Sequence, residues 1–187
     1  MDAVIGSLVG FFVGDYYAWM SILGIVIGLI IAGAQHRWRG GTGWRTILDH
    51  YVLWGIGIAS IANFIFHSFL GDFSAAQIGW DQSPFQMELA LASLGFGVVG
   101  VIAFPRRAGW VAKLVACTGP GIFMFGAGFV HIVDMIQTGN LAFGNAGPIL
   151  YTDLLYPIVS AVILGFALRE QRRAANREGL STDRHLA

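Results

Sequence analysis

Residues 66–88 read FHSFLGDFSAAQIGWDQSPFQME, and residues 130–153 read VHIVDMIQTGNLAFGNAGPILYTD. One pattern is written in both. His67 is followed seventeen residues later by Pro84 and four further on by Glu88, while His131 is followed seventeen residues later by Pro148 and five further on by Asp153. In each copy the His sits near the end of a long apolar run and the Pro opens the next, with an acid about one turn inside it. Proline suits the first turn of a helix, where the N–H it lacks would have no intrahelical partner. Two such helical hairpins predict two imidazoles and two carboxylates at one level of a bundle.

The rest of the chain sets the solvent for that bundle. Of 187 residues, 56% are hydrophobic and 12% charged, and the mean hydropathy is +0.66. That is more apolar surface than a soluble domain of this size can hide, so an integral membrane protein in contact with the lipid bilayer is expected. A formal net charge of zero gives no reason to expect a nucleic-acid partner. The single Cys117 rules out an internal disulfide. Residues 1–14 have no basic start, so no cleavable signal peptide is expected.

Working outward from the two hairpins, residues 3–14 are apolar but too short to cross about 30 Å of hydrocarbon at about 1.5 Å per residue, and an interfacial helix is expected there. Asp15 then caps a first span over about 16–34, beside the interfacial aromatics Tyr16, Tyr17 and Trp19. Gly24 and Gly28 within that span form a GxxxG, which permits close helix approach inside the chain, in a homo-oligomer, or with a membrane partner. Further spans are expected at about 46–70, 84–104, 110–136 and 148–168, with Ser83 capping the third and a kink or unwound turn at Gly119-Pro120-Gly121 in the fourth. The stretch from Gly71 to Ser83 reads as a polar connection. All eleven Lys and Arg fall in or beside the turns after spans one and three or in the C-terminal tail. Because basic residues are retained inside, the N-terminus is expected outside and the C-terminus in the cytoplasm of a bacterial inner-membrane protein. The fold expected is all-α: one transmembrane domain over 1–170, spans two to five forming two pseudo-repeated hairpins, and a cytoplasmic polar tail over 171–187.

This topology puts His67, Glu88, His131, Asp134 and Asp153 at one depth in the outer third of the bilayer. Ionisable groups in a span are a functional-site hypothesis by default. Imidazole with carboxylate suits a divalent Fe, Mn or Zn ion, with His67, His131, Glu88 and Asp153 as ligands and Asp134 as ligand or supporting partner. Asn63, one turn from His67, is placed to orient its ring. Gln86, Tyr151 and Tyr156 are candidates for an access path. A haem between the two histidines fits the neighbouring acids less well. Each residue also has a plainer explanation: an acid near a helix N-terminus is favoured by the helix dipole, and His131 with Asp134 is a local i, i+3 pair. Asp49 and His50 read as a solvated interfacial cluster with Arg45.

The segment Ser83-Pro84-Phe85-Gln86-Met87-Glu88 with the following ALASLGFGVVG, and His131 with Gly144-Asn145-Ala146-Gly147-Pro148 and Asp153, resemble a family of small bacterial multi-pass membrane proteins of unknown function. The resemblance covers roughly Asn63 to Pro157 and implies a helical membrane fold with no assigned activity. Three function classes follow: a metal-binding membrane protein acting as an oxidoreductase or hydrolase, a proton-coupled transporter or channel using the same acids and histidines, and a non-catalytic subunit that packs through span one. A transport path needs polar groups deeper in the bundle, where spans three and five offer little beyond Ser93 and Ser160.

Overall fold

A computed structural model describes residues 14–185, with side chains to 177. The interfacial helix expected over 3–14 lies, apart from Gly14, outside the described residues. Among those residues there are helices and no strands: α1 (Tyr16–Ala34), α2 (Gly43–Phe69), α3 (Gly71–Ile78), α4 (Phe85–Ala103), α5 (Gly109–Thr138), α6 (Phe143–Ala146) and α7 (Pro148–His185). Five of them, α1, α2, α4, α5 and α7, are long and apolar enough to cross a membrane, the make-up of a multi-pass membrane protein. Large apolar side chains such as Ile30, Ile102, Val111 and Ile122 stay exposed on their outer faces, as a hydrocarbon surround allows.

The first span falls where the sequence puts it, and the Asp15 carboxylate accepts from the Ala18 N–H at 3.2 Å. Three details differ from expectation. The connection after α2 is largely helical, as α3. Ser83 does not cap α4, whose first turn is reached through Pro84 without a side-chain hydrogen bond. α5 has no unwound turn at Pro120, since packed neighbouring helices tolerate a proline in an apolar span. α7 runs on past residue 170, and Glu170 is part of the packed structure: its carboxylate accepts from the Gly43 and Arg45 N–H groups at 2.9 and 3.2 Å, supplying the anion that the N-terminus of α2 lacks.

Helix α2 packs closely on α1 and α4, and α5 on α7, so each pair of the repeat is a neighbouring pair in space. Close approach is set by glycine. A Cβ on Gly28 would lie 2.6 Å from Ile47 Cα, and one on Gly100 would lie 2.6 Å from Gly57 N. The GxxxG of α1 is therefore occupied by α2 within the same chain. Gly28→Ala is expected to force the two backbones apart and cost about 1–3 kcal/mol, read as a lower unfolding midpoint in detergent. An equal midpoint would mean that α1 is held by its other contacts.

The middle of α2, Val52–Ile58, is wound as a π-helix, in which hydrogen bonds reach one residue further. The Gly55 carbonyl there accepts from Tyr156 Oη on α7 at 2.9 Å. Further interhelical pairs follow along α2: Tyr51 Oη with Ser160 Oγ at 2.6 Å, Tyr17 Oη to Ser60 Oγ at 3.1 Å, and Asn63 Nδ2 to Ser93 Oγ at 2.7 Å. In an apolar surround such pairs act as glue between helices. Ser93 and Ser160 are both used this way.

Candidate functional site: a cavity with a buried histidine–aspartate pair

At the end of the bundle away from the basic turns, the two hairpin connections pack together. Helix α3 meets α6, and the Asn140 amide donates to the Ile78 carbonyl at 2.8 Å. Beneath them lies a cavity of about 560 Å³ with a mostly apolar wall, whose ionisable and hydroxyl members include Asp15, His67, Ser74, His131, Thr152 and Asp153. That volume is within the range that holds a drug-sized ligand, about 300–1,000 Å³.

His131 is fixed on three sides. Its Nδ1 is 2.6 Å from Asn145 Oδ1, the Trp80 indole stacks on its ring with centroids 5.3 Å apart at 25°, and Nε2 lies 3.6 Å from Asp153 Oδ2. The orientation of Asn145 decides the tautomer. Its Nδ2 donates to Asp134 Oδ2 at 2.9 Å and to the Asn140 carbonyl at 2.8 Å. Both are pure acceptors, so the amide cannot be turned round without setting oxygen against oxygen. The amide oxygen therefore faces His131, and it accepts a proton held on Nδ1. In the neutral ring this leaves the Nε2 lone pair toward Asp153, so a proton shared between Nε2 and the carboxylate is the natural link of the pair.

Asp134 does not line the cavity. It acts through Asn145 and Trp80, accepting from Trp80 Nε1 at 2.9 Å, from Asn140 Nδ2 at 2.8 Å and from Thr138 Oγ1 at 3.2 Å. Local pairing of Asp134 with His131, the plain alternative, is thus replaced by an indirect contact through an amide.

The other site residues divide. His67 lines the cavity, and its Nδ1 is buried without a hydrogen-bond partner among the described residues. Asn63 does not orient that ring: it accepts from Tyr16 Oη and donates to Ser93. Glu88 is exposed and lies outside the cavity wall. The reason is helical phase. Glu88 stands four residues after its proline and Asp153 five after its own, and one residue turns a helix by about 100°, enough to carry an acid from the inner face to the outer. Gln86 braces the connection by donating to the Gly71 carbonyl at 2.9 Å. Tyr151 is exposed on α7 and Tyr156 is buried in the bundle core, and neither is on the cavity wall. Among the described residues no group of three His, Cys, Asp or Glu side chains converges as a metal site would.

Two cavity residues were read from sequence only as local features or not at all. Asp15, a helix cap, also accepts from Thr152 Oγ1 at 2.6 Å across to α7, and its burial pushes its carboxyl above the ordinary carboxylate range. Trp80 lies in a stretch that reads in sequence as a polar connection. The signal for both was the chain's economy of polar groups: each stands beside an apolar run with no basic residue near it in sequence.

At the basic end Arg45 Nε, Lys113 Nζ and Arg106 Nε lie 3.1, 2.7 and 3.5 Å from the Asp49 carboxylate. The pairing of Asp49 with Arg45 is as expected, but the cluster is buried rather than solvated, with Arg45, Asp49 and Lys113 all inside.

Five membrane-length helices around a cavity with a buried imidazole–carboxylate pair define a helical multi-pass membrane protein with an internal pocket. The chain belongs to a family of unknown function, DUF6790, whose model matches residues 14–173. No curated protein and no solved structure matches the chain.

Proposed function

We propose that the chain is a multi-pass membrane protein whose cavity takes a small, largely apolar molecule and holds its one polar group against His131 and Asp153. The observation that carries this is the coincidence of a ligand-sized apolar cavity with an imidazole–carboxylate pair on its wall. Pockets of this make-up use a few placed polar groups for orientation and the apolar wall for affinity. The pair can pass a proton to or from the bound group, because the imidazole nitrogen and the carboxylate oxygen that face one another can each hold it. Oxidoreductase or hydrolase chemistry on a lipid-soluble substrate is the enzyme class that fits. The basic turns then face the cytoplasm and the cavity lies toward the outer leaflet.

A divalent Fe, Mn or Zn ion is the second reading. Its support is His67, a second imidazole on the same cavity with a buried nitrogen that has no partner among the described residues; a bound ion or ligand group would satisfy it.

His67→Leu separates these roles from packing. Removing a buried polar atom without a partner costs the fold little, so the unfolding midpoint is expected to stay level or rise. The compound retained through purification, read by mass spectrometry of an organic extract, is expected to fall several-fold, as it is in Ala127→Phe, which fills the cavity. Elemental analysis on the same samples reads the metal: stoichiometric Fe, Mn or Zn lost in His67→Leu and His131→Ala supports the second reading. Retention unchanged in both the filled and the His67 variants rejects the cavity as a binding site.

A further inference from the structure

A second concave site lies at the opposite, basic end. A crevice of about 330 Å³ between the α1–α2 turn, α2 and the α4–α5 turn is lined by Gln35, Arg37, Thr46, Asp49, His50 and Arg106 among others. Its one acid, Asp49, is already held by Lys113 at 2.7 Å and Arg45 at 3.1 Å. Arg106 Nε also reaches that carboxylate, at 3.5 Å, so three cations share one acid, and with Arg37 the wall carries an excess of positive charge. Among the described residues no carboxylate lies within ion-pair distance of Arg37, whose Nε donates to Gln35 Oε1 at 2.7 Å. That bond leaves the outer edge of its guanidinium, two NH₂ groups, as donors. Arg106 is anchored through its own backbone, its carbonyl accepting from Arg45 Nη2 at 3.0 Å, and its Nη2 donates to Thr46 Oγ1 at 3.0 Å. His50 Nδ1 is buried there without a partner among the described residues. The turn that presents Arg37 is itself constrained, with His36 at φ 51, a left-handed conformation uncommon outside glycine.

We propose that this crevice binds a phosphate-class oxyanion, held between the guanidinium groups of Arg37 and Arg106. Guanidinium forks match phosphate oxygens through paired charge-assisted hydrogen bonds. Basic pockets between membrane helices take phospholipid headgroups in this way, and a free phosphate offers the same chemistry. The proposal is independent of what occupies the cavity at the other end.

The test uses the full chain purified in detergent. Native mass spectrometry follows titration with phosphatidylglycerol and with phosphatidylcholine of the same acyl chains, and calorimetry follows titration with inorganic phosphate. The expected result is selective retention of phosphatidylglycerol, a phosphate heat, or both, with affinity about tenfold weaker in Arg37→Gln, the scale of one lost charge-assisted hydrogen bond. Phosphatidylglycerol selectivity without a phosphate heat assigns the site to a lipid headgroup, and a phosphate heat without lipid selectivity assigns it to a free anion. Arg37→Lys keeps the charge and is expected to fall between wild type and Arg37→Gln, and it is the variant read should Arg37→Gln unfold at a lower temperature without added probe. Equal retention of the two lipids with no phosphate heat, or wild-type affinity in the Arg37 variants, overturns the proposal.

Discussion

Asp49→Ala is expected to destabilise the bundle by about 3–5 kcal/mol, the loss typical of removing one partner from a buried ion pair. Lys113 explains the size. Its ammonium group is completely buried, 2.7 Å from Asp49 Oδ1 and donating to the Phe104 carbonyl at 2.8 Å. Without the carboxylate, the charge remains inside with a single backbone oxygen to meet it. Arg45 loses its partner as well, although it keeps its place over the Trp110 ring at 4.1 Å. Arg106→Gln is the contrast. The Arg106 side chain is 42% exposed and its Nε stands 3.5 Å from Asp49, so its ion pair is screened and its removal should cost less than about 1 kcal/mol. Unfolding in mixed detergent–SDS micelles reads both variants. Comparable losses would mean that Asp49 serves the three cations alike rather than Lys113 above all. The double variant Asp49→Leu with Lys113→Met is expected to recover much of the loss, because an apolar pair of similar volume meets no desolvation penalty.

The helices were legible because the signals for them are local and large. Apolar runs of membrane length, Asp15 before the first span, and Pro148 at the start of the last mark elements that the structure places within a few residues. The chemistry was legible only in part, since it depends on helical phase and on contacts between distant segments. Equal His-to-Pro spacing in the two hairpins suggested equal sites, but the difference between four and five residues from proline to acid decides which carboxylate faces inward. Asp153 does and Glu88 does not. Asn145 is visible in sequence only as part of the Gly144-to-Pro148 motif; nothing local says that it will bond His131 and Asp134 at once. Lys113 read as one more basic residue beside a turn, yet it lies one turn inside α5, where apolar surroundings force it onto Asp49. The repeat located the imidazoles, and tertiary packing chose their partners.

Asn145→Ala carries the second large effect, and it tests how His131 is held. Asn145 is fully buried and bonds three groups: His131 Nδ1, Asp134 Oδ2 and the Asn140 carbonyl. Truncation leaves the histidine N–H and the carbonyl inside without this partner, at a cost of about 1–3 kcal/mol for each group that finds no substitute. Asp134 is spared most of this, because Trp80, Asn140 and Thr138 still donate to it. Stability alone does not separate a structural amide from one that sets the chemistry of the ring. Nitrogen NMR of labelled histidine does. In the wild type the amide oxygen holds the proton on Nδ1, and the Nε2 lone pair faces Asp153. In Asn145→Ala nothing keeps the proton on that side, and the ring is expected to move toward the Nε2–H tautomer, which can donate directly to the Asp153 carboxylate. A shift of tautomer with loss of the retained compound would make Asn145 a positioning residue for the His131–Asp153 pair. An unchanged tautomer would mean that the stacked Trp80 ring and Asp153 fix the imidazole between them, and that the amide serves only to tie the second hairpin's connection to the end of α5.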